Sequence, residues 1–431
     1  MRLLWLSAIR FRKRELHMAD AREAGLEHNF THEGSSRWTV RAKREVAYDV
    51  VVSRQLFDID NSTLATTGDV PAALPGSQRF VVVDATIDSL FGAEIRRYFQ
   101  HNDVILTYQV LESHEVVKNW DSVDAVVSAM ASAGIDRRKE PVIAIGGGTL
   151  LDIVGFAASI YRRNTPYIRI PTTLIGLVDA GIGVKTGVNF RQEKNKIGTY
   201  TAPVVSYLDQ SFLHTLDRRH IANGIAEILK MALMKSDDLM SLLERHGGTV
   251  LNASSNETDQ TLISATDEII TMAVQLMLEE LQPNLWEANL ERCVDYGHTF
   301  SPTIEMRALP ELLHGEAVNI DMALSSVISF NRGLMGRFDL HRIFDLMKIF
   351  ELPTWNPLLE EPEVLSEALS DTLRHRGGKQ RIPLPVGIGG YTFINDLTEE
   401  ELLSSVSQLK VITSASEDRQ RPAGEETGLD A

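Results

Sequence analysis

The run Pro141-Val142-Ile143-Ala144-Ile145 is wholly apolar and ends at three consecutive glycines, Gly146-Gly147-Gly148, after which a helical period runs to Tyr161. Few sequence features constrain a fold more. An all-apolar strand needs cover on both faces, and glycines at its carboxyl end let the backbone approach whatever lies beyond it. Upstream, Phe80-Val81-Val82-Val83-Asp84 and 103–110 read as strands, with helical periods over 89–100 and 116–133 between them. Strand, crossover helix and parallel strand are the units of an open α/β sheet. The free amides opening the helix attract a pyrophosphate, so the triplet is a candidate dinucleotide seat. It also suits a plain tight turn, and the usual Gly-x-Gly-x-x-Gly fingerprint is missing. Asp84 ends its strand where an acid accepts from ribose hydroxyls or caps a helix. Glu115 and Lys118, three apart, would share one helical face as a functional pair or a surface ion pair.

Beyond Leu208 the character changes to long helical periods, at 219–234, 259–281, 286–295, 315–331 and 337–350. Pro353, Pro357 and Pro362 then precede a further helix near 365–373. A chain of 431 residues exceeds one ordinary core, so two working domains are expected, α/β over 37–208 and helical over 209–413. Residues 1–36 read as a disordered extension, or as an over-long start with Met18 the true beginning. Trp38–Lys43 and Tyr48–Val52 read as a pair of strands, Ser62–Ser77 as a loop, and 414–431 as a disordered tail.

A net charge of −16 argues against nucleic acid as a general partner, because phosphate neutralisation needs a clustered basic face. No apolar run reaches the roughly 18–20 residues of a membrane span. The single cysteine, Cys293, forms no intrachain disulfide, and its flanks read as a buried helix. A reduced, cytoplasmic setting is expected.

Against that acidic background one stretch concentrates cations and glycines: Arg162-Arg163, Lys185-Thr186-Gly187 and Lys194-Asn195-Lys196-Ile197-Gly198. It reads as a local phosphate pocket or as a solvated face. Glu227 and Lys230 stand three apart among Ile225, Ala226, Ile228, Leu229 and Met231, so both face one side of a largely buried helix, where an unpartnered charge is costly. Farther on, His298 in Tyr296-Gly297-His298-Thr299-Phe300-Ser301-Pro302 and His314 in Leu313-His314-Gly315-Glu316 each open a helix-like run. They serve as core or capping residues or, with Glu227, as a three-ligand set that leaves a divalent ion open to substrate oxygens.

Taken in order, Glu115-x-x-Lys118, the triple glycine with Asp152, Pro171-Thr172-Thr173 with Asp179, Lys185, Lys194-Asn195, Glu227-x-x-Lys230, Gly297-His298-Thr299-Phe300 and His314-Gly315-Glu316 resemble the sugar phosphate cyclases, whose best-known member is 3-dehydroquinate synthase. The likeness runs from about Phe80 to Thr392. It implies an NAD-binding α/β domain and a helical metal-binding domain with the active site between them, in a homodimer acting on a small sugar phosphate. It implies zinc or cobalt on Glu227, His298 and His314, and NAD held by Asp84, Glu115, Lys118, Gly146, Gly147, Gly148, Asp152, Thr172 and Thr173. The catalytic positions it implies are Asp179, Lys185, Lys230 and Asp295. Arg163, Lys194, Asn195, His375, Arg376 and Lys379 match substrate or phosphate contacts.

Three departures from the quinate-forming branch stand near the second ligand: Pro302 for a histidine, Asp295 for an asparagine and Glu291 for an arginine, with Arg292 adjacent. Their loss argues against a carboxylate-bearing substrate. The segments Tyr161-Arg162-Arg163-Asn164-Thr165-Pro166-Tyr167, 277–287, and Arg374-His375-Arg376 with 380–385 are most similar to the branch that cyclises sedoheptulose 7-phosphate. Branches closing the same sugar differently, and related metal-dependent polyol dehydrogenases, are the alternatives.

Overall fold

The computed structural model describes residues 25–30, 35–67, 77–191, 193–252 and 260–418, in two compact units meeting at Ala47 and Tyr48. In the first, strand β1 (Gly25–Phe30) pairs antiparallel with β2 (Ser36–Arg41), and His28 stacks on Trp38 directly across the ladder, ring centroids 4.5 Å apart. The strand pair expected between 38–43 and 48–52 does not form. Tyr48–Val52 instead contributes to β3 (Asp49–Ser53), an edge strand of the main sheet. Of the expected N-terminal disorder, 25–30 proves to be strand; 1–24 and 31–34 lie outside the described residues.

In the second unit, a single helical turn, α1 (Thr63–Thr66), interrupts the expected 62–77 loop, of which 68–76 lie outside the described residues. There follow β4 (Gln78–Asp84), α2 (Ala85–His101), β5 (Ile105–Leu111), α3 (Trp120–Ala133), β6 (Val142–Gly146), α4 (Gly148–Ile160) and β7 (Tyr167–Pro171). A hairpin of β8 (Lys185–Phe190) and β9 (Glu193–Tyr200) then precedes β10 (Val205–Asp209). Six strands form a parallel sheet in the order β3-β10-β7-β6-β4-β5. Alternation explains the unbroken apolar strands. Val81, Val83, Ile143 and Ile145 pack on one face with Ile95 and Phe99 of α2, while Phe80, Val82, Val142 and Ala144 pack on the other with α3 and α4. The chain reverses direction across the sheet between β4 and β6, where open α/β sheets hold ligands beyond the strands' carboxyl ends.

Helix α3 starts four residues later than its period suggested. Asn119 caps it by accepting the amides of Asp121 and Ser122, and 115–117 make a 3-10 turn, so Glu115 and Lys118 do not share an α-helical face.

Among the described residues eight α-helices complete this unit: α5 (Arg218–Lys235), α6 (Asp237–Val250), α7 (Gln260–Leu281), α8 (Ser301–Arg307), α9 (His314–Asn331), α10 (Arg337–Ile349), α11 (Pro362–His375) and α12 (Glu399–Asp418). The hairpin β11 (Ile382–Pro385) and β12 (Tyr391–Ile394) precedes α12. Most of α9 is buried on every side, which makes it the axis of the helical core. The expected 286–295 helix is mostly irregular. Asn284 and Asn289 turn their side chains onto local backbone, with Asn284 Oδ1 accepting from the Asn289 amide at 2.9 Å, and only Cys293–Asp295 forms a 3-10 turn. Cys293 is buried nonetheless. The tail is helical to Asp418 rather than disordered from 414; 419–431 lie outside the described residues. No helix among the described residues is long and apolar enough to cross a membrane.

Candidate active site

A cleft of about 810 Å³ runs between the carboxyl ends of the sheet strands and the helices, ample for a dinucleotide portion and a small sugar. At one end, Gly147 caps α4 with no side-chain partner, leaving the helix's first amides free. A Cβ on Gly148 would come 3.0 Å from Ala180 Cβ, and one on Gly147 would come 3.3 Å from Thr173 Cγ2. That narrow backbone cradle fits a pyrophosphate. Asp152, one turn on, accepts from Lys118 Nζ at 2.6 Å, and the same ammonium donates to Asn195 Oδ1 at 2.7 Å. Burial alone would lower Lys118, but the carboxylates of Asp152 and Glu115 outweigh it and hold the lysine charged. Asn189 joins the set: its Nδ2 donates to Glu115 Oε1 at 2.8 Å and its Oδ1 accepts the Asn195 amide at 2.8 Å.

Asp84 is not in the cleft wall. Its Oδ1 caps α2 by accepting the amides of Thr86 and Ile87, and its Oδ2 accepts from Ser113 Oγ at 2.5 Å; Ser113 does line the cleft. Of the two readings the sequence left open, the cap is the one seen. Gly146 and Thr172 sit behind the wall, Thr172 donating its amide to Gly146 O, while Thr173 faces the cleft.

The β8–β9 hairpin carries Lys185, Lys194 and Asn195 into the cleft. Its glycines serve the backbone rather than a phosphate: Gly187 and Gly198 lie opposite one another, where a Cβ on either would strike the partner strand. Arg169, wholly buried in β7, clamps the approach by donating to the carbonyls of Gly183 at 2.5 Å and Lys185 at 2.9 Å. Crowding and the Arg292 cation push Lys185 down to about 8, although 59% of its side chain still meets cleft water, which offsets part of that effect.

The other end of the cleft holds the histidines. Helix α5 packs on α9 so closely that a Cβ on Gly315 would run into the Asn223 carbonyl, and Asn223 Oδ1 accepts the Gly315 amide at 2.6 Å. One turn after Asn223, α5 presents Glu227, fully buried, beneath His314. His298 reaches the same point from the turn before α8. Gly297, at φ +76°, lies against Val318 and Met322, and Asp321 Oδ2 accepts the amides of Thr299, Phe300 and Ser301 at 2.5–2.9 Å.

Both imidazoles aim Nε2 at one oxygen, Glu227 Oε1, from 3.8 Å for His298 and 3.5 Å for His314. One donor atom from each of the three residues lies within 4.8 Å of the others. The remaining ring nitrogens are held by protein: His298 Nδ1 lies 3.1 Å from Tyr296 O, and His314 Nδ1 lies 2.8 Å from Glu305 Oε2. That places a proton on each Nδ1 and leaves each Nε2 facing the carboxylate. Lys230 Nζ forms an ion pair with Glu227 Oε2, yet neither carboxylate oxygen accepts a hydrogen bond of good geometry. A buried carboxylate so placed, with two imidazoles converging on it, fits a divalent cation.

The electrostatics agree. Burial alone would raise the Glu227 carboxyl, but Lys230 and the imidazoles hold it well below the usual carboxylate range. Burial and the Lys230 cation push His298 down to about 3, keeping it neutral. For His314, burial and Lys194 act downward, but Glu305 and Glu227 outweigh them and lift it to about 9; a proton and a divalent cation are alternative partners for this carboxylate-faced ring. Asp179, buried beside Glu227 and Lys230, is raised by burial and by the Glu227 charge.

Asp295 lies in the cleft wall, bonded by the Arg292 guanidinium at 2.5 and 3.1 Å, and Arg292 also pairs with Glu287, which pairs in turn with Lys185. Glu291 turns to Arg381, 3.7 Å away, and Arg292 occupies the wall, so the pocket has not lost an arginine; its charge is matched by two acids. Pro302 does line the cleft. Arg376 is buried and donates to the carbonyls of Gln380, Arg381 and His298 rather than facing the cleft. His375 and Lys379 are exposed outside the cleft wall, and Arg163 lies exposed at the far end of α4 with φ +62°. The sequence reading missed Glu305, Asn189, Arg169 and Asp321. A signal was available for Glu305, a carboxylate flanked by Ile304 and Met306 seven residues beyond His298.

Two adjoining family models match the chain, the 3-dehydroquinate synthase N-terminal domain over residues 108–223 and its C-terminal domain over 224–373. The chain belongs to the 3-dehydroquinate synthase-like family of sugar phosphate cyclases. Within it, the chain is 53% identical over 374 residues to 2-epi-5-epi-valiolone synthase of Streptomyces albus, covering 86% of this chain and 90% of that one. It is 52% identical to the enzyme of the same name from an Actinoplanes species, covering 85% and 91%. Among solved structures, 2-epi-5-epi-valiolone synthase of Streptomyces hygroscopicus with NAD+ and Zn2+ bound superposes with a TM-score of 0.82 at 49% identity, over 87% of this chain and all of that one.

Proposed function

We propose that this chain is a carbon–oxygen lyase that cyclises sedoheptulose 7-phosphate to 2-epi-5-epi-valiolone with loss of phosphate. The observation that carries the proposal is the convergence of Glu227, His298 and His314 at one end of a cleft whose other end opens on Gly147 and Gly148, in a chain about half identical to synthases of that name.

NAD and zinc or cobalt would supply a reversible hydride acceptor and a Lewis acid, so that the overall reaction involves no net oxidation. Gly147, Gly148 and Thr173 line the dinucleotide end, with Glu115, Lys118 and Asp152 fixing that wall from beneath. Glu227, His298 and His314 would hold the cation, and Lys230 balances Glu227. A transient ketone on the ring acidifies the neighbouring carbon–hydrogen bond, an oxygen of the phosphate that is to leave takes that proton, and the resulting enolate expels the phosphate from the terminal carbon. Lys185, protonated and facing the cleft, suits stabilisation of that enolate. After re-reduction the ring opens, and the new enolate attacks the original ketone to close the carbocycle. Lys194 and Asn195 are the phosphate contacts we retain from this chain's own cleft; Asp179 and Asp295 set the field around Lys230 and Arg292.

A homodimer in the cytoplasm is part of the proposal. Arg163 lies outside the cleft of its own chain, so it would reach a substrate only from a second copy; sizing the protein in solution tests this. The working boundary at Leu208, where the last sheet strand is ending, is likewise proposed. The deciding assay incubates the protein with sedoheptulose 7-phosphate, NAD and zinc or cobalt and reads the product by NMR. A C7 cyclitol of the 2-epi-5-epi-valiolone configuration is expected; a different ring closure would move the chain to another branch, and phosphate release without a cyclitol would refute the reading.

A further inference from the structure

Glu305 of α8, a buried charged group outside the three-ligand set, touches both halves of the cleft. Its side chain is 2% exposed. One oxygen, Oε2, accepts from His314 Nδ1 at 2.8 Å and from Lys194 Nζ at 2.5 Å. Lys194 comes from the β8–β9 hairpin on the α/β side, and His314 opens α9 on the helical side. A carboxylate fully removed from water is costly unless both its charge and its lone pairs are satisfied. Here an ammonium and an imidazole N–H meet the carboxylate together at Oε2. The 2.9 Å approach of Lys194 Nζ to His314 Nδ1 follows from this sharing, because two donors converge on one oxygen.

We propose that Glu305 is a positioning residue that couples the cation site to the substrate end of the cleft: it sets the orientation and basicity of His314 and, through the same oxygen, the position of Lys194. The proposal rests on the reading of Glu227, His298 and His314 as cation ligands. A carboxylate behind a ligating imidazole fixes its tautomer and strengthens it as a donor, and removing such a group commonly costs 10–100-fold in metal affinity. The coupling adds a second expectation of opposite sign. Lys194 draws on the same carboxylate and places a positive charge near His314, so removing that cation leaves Glu305 wholly to the imidazole and tightens the cation.

Cobalt(II) titration, followed by its visible absorption and by competition with zinc, reads this without any assay of turnover. Glu305→Gln is expected to weaken cobalt binding about 10–100-fold, with Glu305→Asp restoring part of the loss, and to raise the KM for sedoheptulose 7-phosphate more than it lowers kcat at saturating metal. Lys194→Met, with folding checked by circular dichroism, is expected to tighten cobalt at least threefold while weakening substrate. Unchanged cobalt affinity in a folded Glu305→Gln protein would overturn the proposal, as would looser or unchanged cobalt binding in Lys194→Met should Glu305→Gln not fold. If no variant alters cobalt binding and even His298→Ala binds it normally, the cation site itself has been misassigned, which is a separate failure.

Discussion

The two walls of the cleft are built on different principles. On the helical side, Glu227 is buried, both histidines have their outer nitrogens held, and Asp321 gathers three successive amides to fix the turn that carries His298. On the α/β side, Lys185 stands 59% exposed on a two-stranded hairpin, paired with Glu287. One wall is preorganised to hold an ion; the other presents, at Lys185, a cation open to an anion that comes and goes. Preorganisation costs packing freedom, so the helical wall should respond to substitution through folding and metal content, and the hairpin wall through turnover.

The largest effect expected to divide the walls is that of His314→Ala. Losing a ligand should remove several kcal/mol of charge stabilisation, on the order of a 10³-fold fall in cyclisation, with metal content falling in parallel by elemental analysis. Lys185→Met should lower turnover on the order of 10²-fold while leaving metal content intact. If both variants lost metal alike, the distinction between the walls would be gone.

Gly315→Ala sharpens the comparison from the packing side. The added methyl meets the Asn223 carbonyl between two buried helices, so a loss of about 1–3 kcal/mol in stability is expected from denaturant midpoints. Gly248→Ala, with open space around it, should not destabilise.

The pH dependence of Lys185 carries a worked sign. Its folded value is lowered to about 8 from an ordinary 10.5, so between those values the folded protein binds fewer protons than the unfolded chain. Its contribution to stability therefore rises with pH across that window, whereas a role as ammonium makes turnover fall. Activity that declines above about pH 8 while the melting temperature does not track it would fit; activity that rises there would exclude the ammonium role. The smallest effect is expected at His375→Ala, which lies outside the cleft wall and should change KM less than about fivefold, the scale of an exposed contact. A larger change would return that segment to the phosphate seat.

How much of this was legible in the sequence follows the same division. The apolar strand emptying into Gly146–Gly148 announced the sheet, because an alternating two-faced burial leaves no room for polar residues. The spacing of Glu227 and Lys230 placed both on a buried helix. What could not be read were contacts made across long separations: Arg169 to the 183–185 backbone, Asn189 to Glu115, and Glu305 to Lys194, 111 residues apart. Arg292 was hidden for another reason. A helical reading of 286–295 gave no ground for turning Glu291 outward and Arg292 inward, and the asparagines that break that helix decide which of the two faces the pocket. The hairpin glycines misled in the opposite direction, because a close strand crossing and a phosphate loop both call for residues without side chains.

A single progress curve tests the central claim most directly: phosphate, cyclitol and NADH followed together in one reaction of the metal-loaded protein with sedoheptulose 7-phosphate and NAD. The account requires phosphate and cyclitol to rise in equal amounts while the NADH absorbance stays at a level no greater than the enzyme present. NADH accumulating in step with substrate consumption would contradict it and make the chain a dehydrogenase.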